Sequence, residues 1–326
     1  CIMSGRNFEG LAALACEYDM VALIDCCPLN CEQLRKDFPQ ALIIPKPVEH
    51  PVVFAILSLL QADAVFITSC CQPSSIAKLK RTKIENDPKD KSAYFAIRAA
   101  MLVNPRLIIF ENVAAFKWER KETYEFVHES MRTREFHTFD CENNGPWMGV
   151  PSQRNRLFIV GVRLGHDNNM EAEVRILARA AKQQAAYKMG LKTTRTPFEA
   201  LKAYRNVRGK KGIFIHQRRP MGVGAENPPR IVPGDVRFPA ITTKFLQSRD
   251  QLEKYQRRDC DACDKSLAIL PSIEDLATLL GLARDTIWPI DRKCPLPCVG
   301  CSDSRGKSRG WPRKLQSGNS CSPKQA

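Results

Sequence analysis

The chain has 326 residues, 44% of them hydrophobic, and carries 50 Lys+Arg against 35 Asp+Glu for a formal net charge of +15. No apolar run reaches the roughly 18 uncharged residues a membrane-spanning helix requires, and no signal-peptide pattern is visible, so no membrane partner is expected. The 14 cysteines are not the framework of a small secreted disulfide fold, because the chain is too long and has a core of its own; a reducing, intracellular compartment is expected, the nucleus in a eukaryote and the cytoplasm otherwise.

The charge is segregated. Residues 1–164 hold 20 Lys+Arg against 19 Asp+Glu, and residues 165–326 hold 30 against 16. Between Lys188 and Arg219 there are ten basic residues and one acid, Glu199. A near-neutral half joined to a basic half suits catalysis on one side and polyanion binding, above all nucleic acid, on the other. The alternative is a basic protein kept soluble by its charge. The chain begins with Cys1 rather than Met, and it reads as a piece of a longer protein flanked by further domains.

In chain order, residues 20–24 read as a strand, 29–38 and 52–60 as helices, and 64–68 as a strand. A helix follows over 92–103, a strand over 107–110, a helix over 124–132 and a strand over 157–162. This alternation predicts an α/β fold, a mainly parallel sheet with helices on both faces. An Ala/Arg/Lys-rich helix is predicted over 171–188, residues 190–245 are rich in Pro, Gly and Arg, and residues 276–282 turn apolar again. Residues 286–313 carry Pro, Gly, Cys and charge, and read as a loop or insertion. Three parts result: a catalytic part over 1–164, a smaller basic part over 165–268, and a return to the first over 269–326.

Three segments carry chemistry. The first, Ser69-Cys70-Cys71-Gln72-Pro73-Ser74-Ser75, follows the apolar run 62–68. The second, Glu111-Asn112-Val113, ends the run 107–110, and the third, Gly149-Val150-Pro151-Ser152-Gln153-Arg154-Asn155-Arg156, precedes the run 157–161. A thiol, a carboxylate and two guanidiniums thus stand at the edges of buried strands, and in an open α/β sheet those edges converge on one crevice. Singly, each has an ordinary reading: a packed core thiol, a solvated or helix-capping Glu, a pair of surface arginines. Their joint order and apolar flanks are what carry weight.

Those segments resemble the Pro-Cys-Gln, Glu-Asn-Val and Gln-x-Arg-x-Arg motifs of the cytosine-5 DNA methyltransferases. The resemblance implies a Rossmann-like S-adenosylmethionine-dependent methyltransferase sheet and a smaller basic target-recognition domain over 165–268. It implies Cys71 as the nucleophile that adds to carbon 6 of cytosine, since a thiolate adds and leaves readily. It implies Glu111 as the acid that protonates or hydrogen-bonds ring nitrogen 3. Of Arg154 and Arg156, one would hold the flipped base through its carbonyl oxygen, and the other would brace the catalytic loop or a phosphate. Gln72, Ser75 and Asn112 would line the substrate pocket. Thr242 and Thr243 resemble a threonine pair of the recognition region, and Arg218, Arg219, Arg237 and Arg249 are expected phosphate contacts.

For the cofactor, S-adenosyl-L-methionine, the resemblance implies Gly5 in a glycine turn, Asp25 on the ribose hydroxyls, Cys70 in the crevice, and Asn319 and Ser320 in a closing turn. Departures are present: Arg6-Asn7-Phe8 replaces part of the glycine turn, Pro47 stands where an adenine-contacting Asp is usual, and Cys70 stands where Pro is usual. The tRNA-directed branch of the same family shares all three motifs, so tRNA stays open beside duplex DNA. A DNA-binding relative with impaired catalysis and an unrelated basic α/β protein stay open as well. Cys260-x-x-Cys263 and Cys298-x-x-Cys301 have zinc-site spacing, but the catalytic-fold segment 276–282 lies between them, so no metal is expected and structural zinc is the alternative.

Overall fold

The computed structural model describes residues 19–69, 91–144 and 155–163, together with the backbone of five short strands farther along the chain. β1 (Ala22–Ile24) leads into α1 (Pro28–Asp37), and β2 (Leu42–Ile44) into α2 (Pro51–Leu57). β3 (Ala64–Thr68) comes next, and α3 (Lys91–Val103) leads into β4 (Leu107–Val113). After β4 come α4 (Phe116–Glu119), α5 (Lys121–Arg132), β5 (Phe136–Asn144) and β6 (Asn155–Arg163). The five short strands are β7 (Gly212–Ile215), β8 (Arg230–Pro233), β9 (Ala268–Ile269), β10 (Arg292–Lys293) and β11 (Gly310–Trp311), with β7 paired to both β8 and β9. Most of the expected division at 165 and 269, and the helix expected over 171–188, lie outside the described residues.

β1 and β2 pair in parallel, and β3, β4, β6 and β5 form a four-stranded sheet in that order. The β3–β4 pair is parallel, whereas β6 runs antiparallel to both of its neighbours. The expectation of a mainly parallel sheet therefore holds for the first half and is corrected for the second. Among the described residues, no helix is long and apolar enough to cross a membrane.

Alternation along the strands builds hydrophobic clusters on both faces. Val65, Ile67, Ile108, Phe110, Leu157 and Ile159 face α3 and α5 in one core with Ile24 and Ile44 of the other sheet piece. α3 meets it with Ala93, Ala96, Ile97, Ala100 and Val103, the helical i, i+3, i+4, i+7 spacing. The small alanines let that helix lie close. α3 stops at Asn104, whose φ of 54° lies in the left-handed region, and Pro105 follows. On the other face Phe66 packs with Leu23, Leu34 and Ile43, so the two sheet pieces share both of these clusters. Gly161 lies under α5, where a Cβ would stand 2.6 Å from Met131 Sδ.

α4 is a single turn that leaves the end of β4, and a polar cluster holds it and α5 onto the edge strand β5. Asp140 accepts from Tyr124 Oη at 2.6 Å, Lys117 Nζ at 2.7 Å and His128 Nε2 at 3.0 Å. His128 Nδ1 lies 3.1 Å from Thr138 Oγ1. Burial pushes the Asp140 carboxyl up, but the bonds from His128, Lys117 and Tyr124 outweigh it and hold the group at about 2 against an ordinary 3.8. Burial and the bond to Asp140 push the Tyr124 phenol to about 12, and the same carboxylate raises Lys117.

Because the folded value of Asp140 lies below the unfolded one, its contribution is complete above about pH 4 and is lost as the pH falls toward 2; the size is on the order of 2 kcal/mol. Asp140→Asn is expected to lower stability by about that much at neutral pH and to flatten the loss between pH 4 and 2. Urea unfolding at a series of pH values checks this, and parallel acid profiles for the two proteins would contradict it.

Candidate active site at three strand ends

β3 and β4 are in register with Thr68 beside Glu111, so the next residues, Ser69 and Asn112, also stand side by side. Along β4 the side chains alternate: Asn112 shares the face of Phe110, and Glu111 that of Ile109. On the first face Asn112 Nδ2 donates to Ser69 Oγ at 2.8 Å, and Asn112 Oδ1 accepts from the Val113 backbone N–H at 2.8 Å. Both partners are buried, Asn112 at 1% exposure and Ser69 at 5%. This bond ties down the strand end two residues before Cys71.

On the second face Arg156 Nε donates to Glu111 Oε1 at 2.7 Å. Arg156 comes from β6, where it stands opposite Val113, with Phe158 opposite Glu111. Its Nη1 also donates to the Asn155 carbonyl at 2.8 Å, which orients the guanidinium. The two side chains are only 11% and 12% exposed, so water screens the pair poorly and either charge alone would be costly.

Thr68 shares the face of Glu111. Its hydroxyl is buried and has no hydrogen-bond partner among the described residues, a loss on the order of 1–3 kcal/mol for such a group.

A separate cluster closes the end of β1. Asp25, 8% exposed, accepts from the Cys27 backbone N–H at 2.7 Å through Oδ1 and from Asn30 Nδ2 at 2.9 Å through Oδ2. Cys31 Sγ donates to the Asp25 carbonyl at 3.1 Å. A carboxylate offers about four acceptor positions, so an acid held this way at a strand end fits the paired hydroxyls of a ribose. Pro47 lies between β2 and α2, where its carbonyl accepts from the His50 N–H at 3.0 Å; it has no side-chain group to bind a base.

Of the expected site residues, Glu111 and Arg156 are brought together, Asn112 stands beside them on the opposite face of β4, bonded to Ser69, and Asp25 stands in its own cluster. Arg156 is ion-paired to Glu111. Gly5, Cys70, Cys71, Gln72, Ser75, Arg154, Thr242, Thr243, Asn319 and Ser320 lie outside the described residues, as do Cys260, Cys263, Cys298 and Cys301. Among the described residues, no group of His, Cys, Asp and Glu is arranged to hold a metal ion. Thr68 and Asn30 were not singled out from sequence, and Ser69 stood there only as the first residue of the Cys71 segment, with no role assigned. Their signal was available, since each is a polar residue at the end of a buried strand or in the first turn of the helix after one.

A model of the C-5 cytosine-specific DNA methylase family matches residues 54–216. The Type II methyltransferase M.XorII of Xanthomonas oryzae pv. oryzae is 23% identical over 158 residues, 45% of this chain and 36% of that protein. The matched stretch thus spans about a third of that relative. The S. pombe Dnmt2 methyltransferase has a similar fold, with a TM-score of 0.59 at 13% identity over 99% of this chain and 93% of its own. A Spodoptera frugiperda DNMT2 variant reaches 0.57 at 14% over 99% and 95%. The Entamoeba histolytica methyltransferase EhMeth reaches 0.55 at 15% over 99% and 94%.

Asn112→Ala is expected to cost about 1–3 kcal/mol, because it removes the tie between the strand ends and leaves the Ser69 hydroxyl buried without its donor. Ser69→Ala added to it is expected to cost little more, since both substitutions break one bond. Urea denaturation of the two single variants and the double variant measures this, and strictly additive losses would contradict the assignment.

Proposed function

The chain belongs to the C-5 cytosine-specific DNA methylase family, and from that membership we propose that it methylates carbon 5 of cytosine in DNA. The observation that supports this most directly is the Glu111 carboxylate, held by Arg156 beside the strand that leads into Cys71. A fixed acid next to a nucleophile-bearing strand end is what the reaction requires.

Carbon 5 of cytosine is a poor nucleophile in the intact ring. The Cys71 thiolate adds to carbon 6, forming a C–S bond, and the electrons of the carbon 5–carbon 6 double bond make carbon 5 enamine-like. In its protonated form Glu111 donates to ring nitrogen 3, by hydrogen bond or proton transfer, and so stabilises the density pushed into the ring. Arg156 keeps that carboxyl in place, and Arg154 holds the carbonyl oxygen of the base. S-adenosylmethionine, when bound, supplies an electrophilic methyl group; Asp25 would hold its ribose, with Gly5, Cys70, Asn319 and Ser320 lining the rest. Loss of the carbon 5 proton and cleavage of the C–S bond then restore the aromatic ring and the thiolate.

Carbon 6 is out of reach inside a duplex, so the base is extruded into the crevice at a cost of a few kcal/mol. The basic region 165–268 offsets this with phosphate contacts, each steepening the dependence of log K on log salt by about 0.9. A second reading, nucleic-acid binding without turnover, draws on Pro47, which offers the adenine no acid.

Covalent trapping tests the proposal. The protein, S-adenosylmethionine and duplex DNA carrying 5-fluorocytosine are mixed and denatured, with Cys71→Ser, Cys70→Ser and a tRNA substrate run in parallel. An adduct on DNA that is lost in Cys71→Ser and kept in Cys70→Ser is the expected result. An adduct on tRNA alone would move the substrate to tRNA, and none on either would leave the binding reading.

A further inference from the structure

Thr68 is the last residue of β3, and its hydroxyl is the single polar atom of its side chain. That atom is buried and has no hydrogen-bond partner among the described residues. The other positions of the strand, Ala64, Val65, Phe66 and Ile67, are apolar. Valine has nearly the shape of threonine, suits a buried parallel strand, and would leave no hydroxyl stranded there. A buried polar group without a partner is rare enough in folded proteins to call for an explanation.

The register shows where that partner is. Thr68 stands directly beside Glu111 in the parallel pair, on the same sheet face, and adjacent strands lie about 4.8 Å apart. Arg156 holds Glu111 through Oε1 from the β6 side, whereas Thr68 flanks the carboxylate from the β3 side.

Resting on the function proposed above, we infer that Thr68 is a positioning residue for Glu111: with a pyrimidine in the crevice, its hydroxyl donates to the Glu111 carboxyl on the flank opposite Arg156. The acid is then fixed from both neighbouring strands and directed at ring nitrogen 3. Without the base, the hydroxyl has no partner among the described residues. Fold stability gains nothing from it, and the gain falls on turnover.

The test compares Thr68→Val and Thr68→Ser with the wild type in S-adenosylmethionine-dependent methyl transfer to duplex DNA and to tRNA, together with thermal melting. Thr68→Val is expected to lose about tenfold or more in kcat with KM for the nucleic acid within about twofold, and to melt at the wild-type temperature or above it. Thr68→Ser restores the hydroxyl and is expected to stay within about threefold of wild-type kcat. Wild-type turnover in Thr68→Val overturns the inference, and so does loss of turnover in both variants or a Thr68→Val protein that melts lower. A folded wild-type protein that methylates neither nucleic acid overturns the proposed function and this inference with it; an active wild type with an equally active Thr68→Val overturns the inference alone.

Discussion

The candidate site hangs on the pairing of β4, which runs parallel to β3 on one side and antiparallel to β6 on the other. At its C-terminal end two neighbouring polar residues point to opposite faces of the sheet, and each is held by a different strand. Asn112 reaches Ser69 on β3, and Glu111 is reached by Arg156 on β6. A shift of either pairing by one residue would turn Glu111 and Asn112 away from these partners. The register is set by the apolar residues behind them: Ile108 and Phe110 on one face, Leu107 and Ile109 on the other, all in contact with packed neighbours. Core packing and site geometry are thus one constraint.

A second layer keeps β4 and its surroundings in place. Phe116 of α4 packs against Phe110 of β4 with ring centroids 5.5 Å apart, and Lys117 in the same turn reaches Asp140 on β5. The chain leaving the Glu111 strand end is therefore anchored at once, by an aromatic contact on the core side and an ion pair on the edge-strand side. The Asp140 cluster also answers the exposure of β5 at the edge of the sheet, since its charged groups are directed at α4 and α5.

Much of this was legible in the sequence, and the reasons for the rest are physical. β3 is read with its observed bounds because five apolar or β-branched residues stand between polar ones. The three chemical segments are visible because a buried strand that ends in a charged or nucleophilic residue is unusual. β5 alternates Phe, Thr and Asp on one face with His, Phe and Cys on the other, so a polar cluster built on its inner face hides the pattern of an edge strand. α4 is one turn long and falls below the length at which helical spacing can be recognised. The antiparallel sense of β6 is not written in its own residues at all; it follows from the arrival of the chain through β5. The partner of Arg156 likewise comes from pairing across strands, which spacing along the chain does not encode.

The central claim is that Glu111 and Arg156 form a buried, mutually dependent pair that holds the acid in place before substrate arrives. A double-mutant cycle of Glu111→Gln and Arg156→Met, read by urea unfolding, addresses it most directly. Each single substitution is expected to cost about 2–4 kcal/mol, because it leaves one desolvated charge or donor alone. The double variant is expected to lose at least about 1 kcal/mol less than the sum of the two single losses. Independent, additive losses would mean that the pair does not hold the site together.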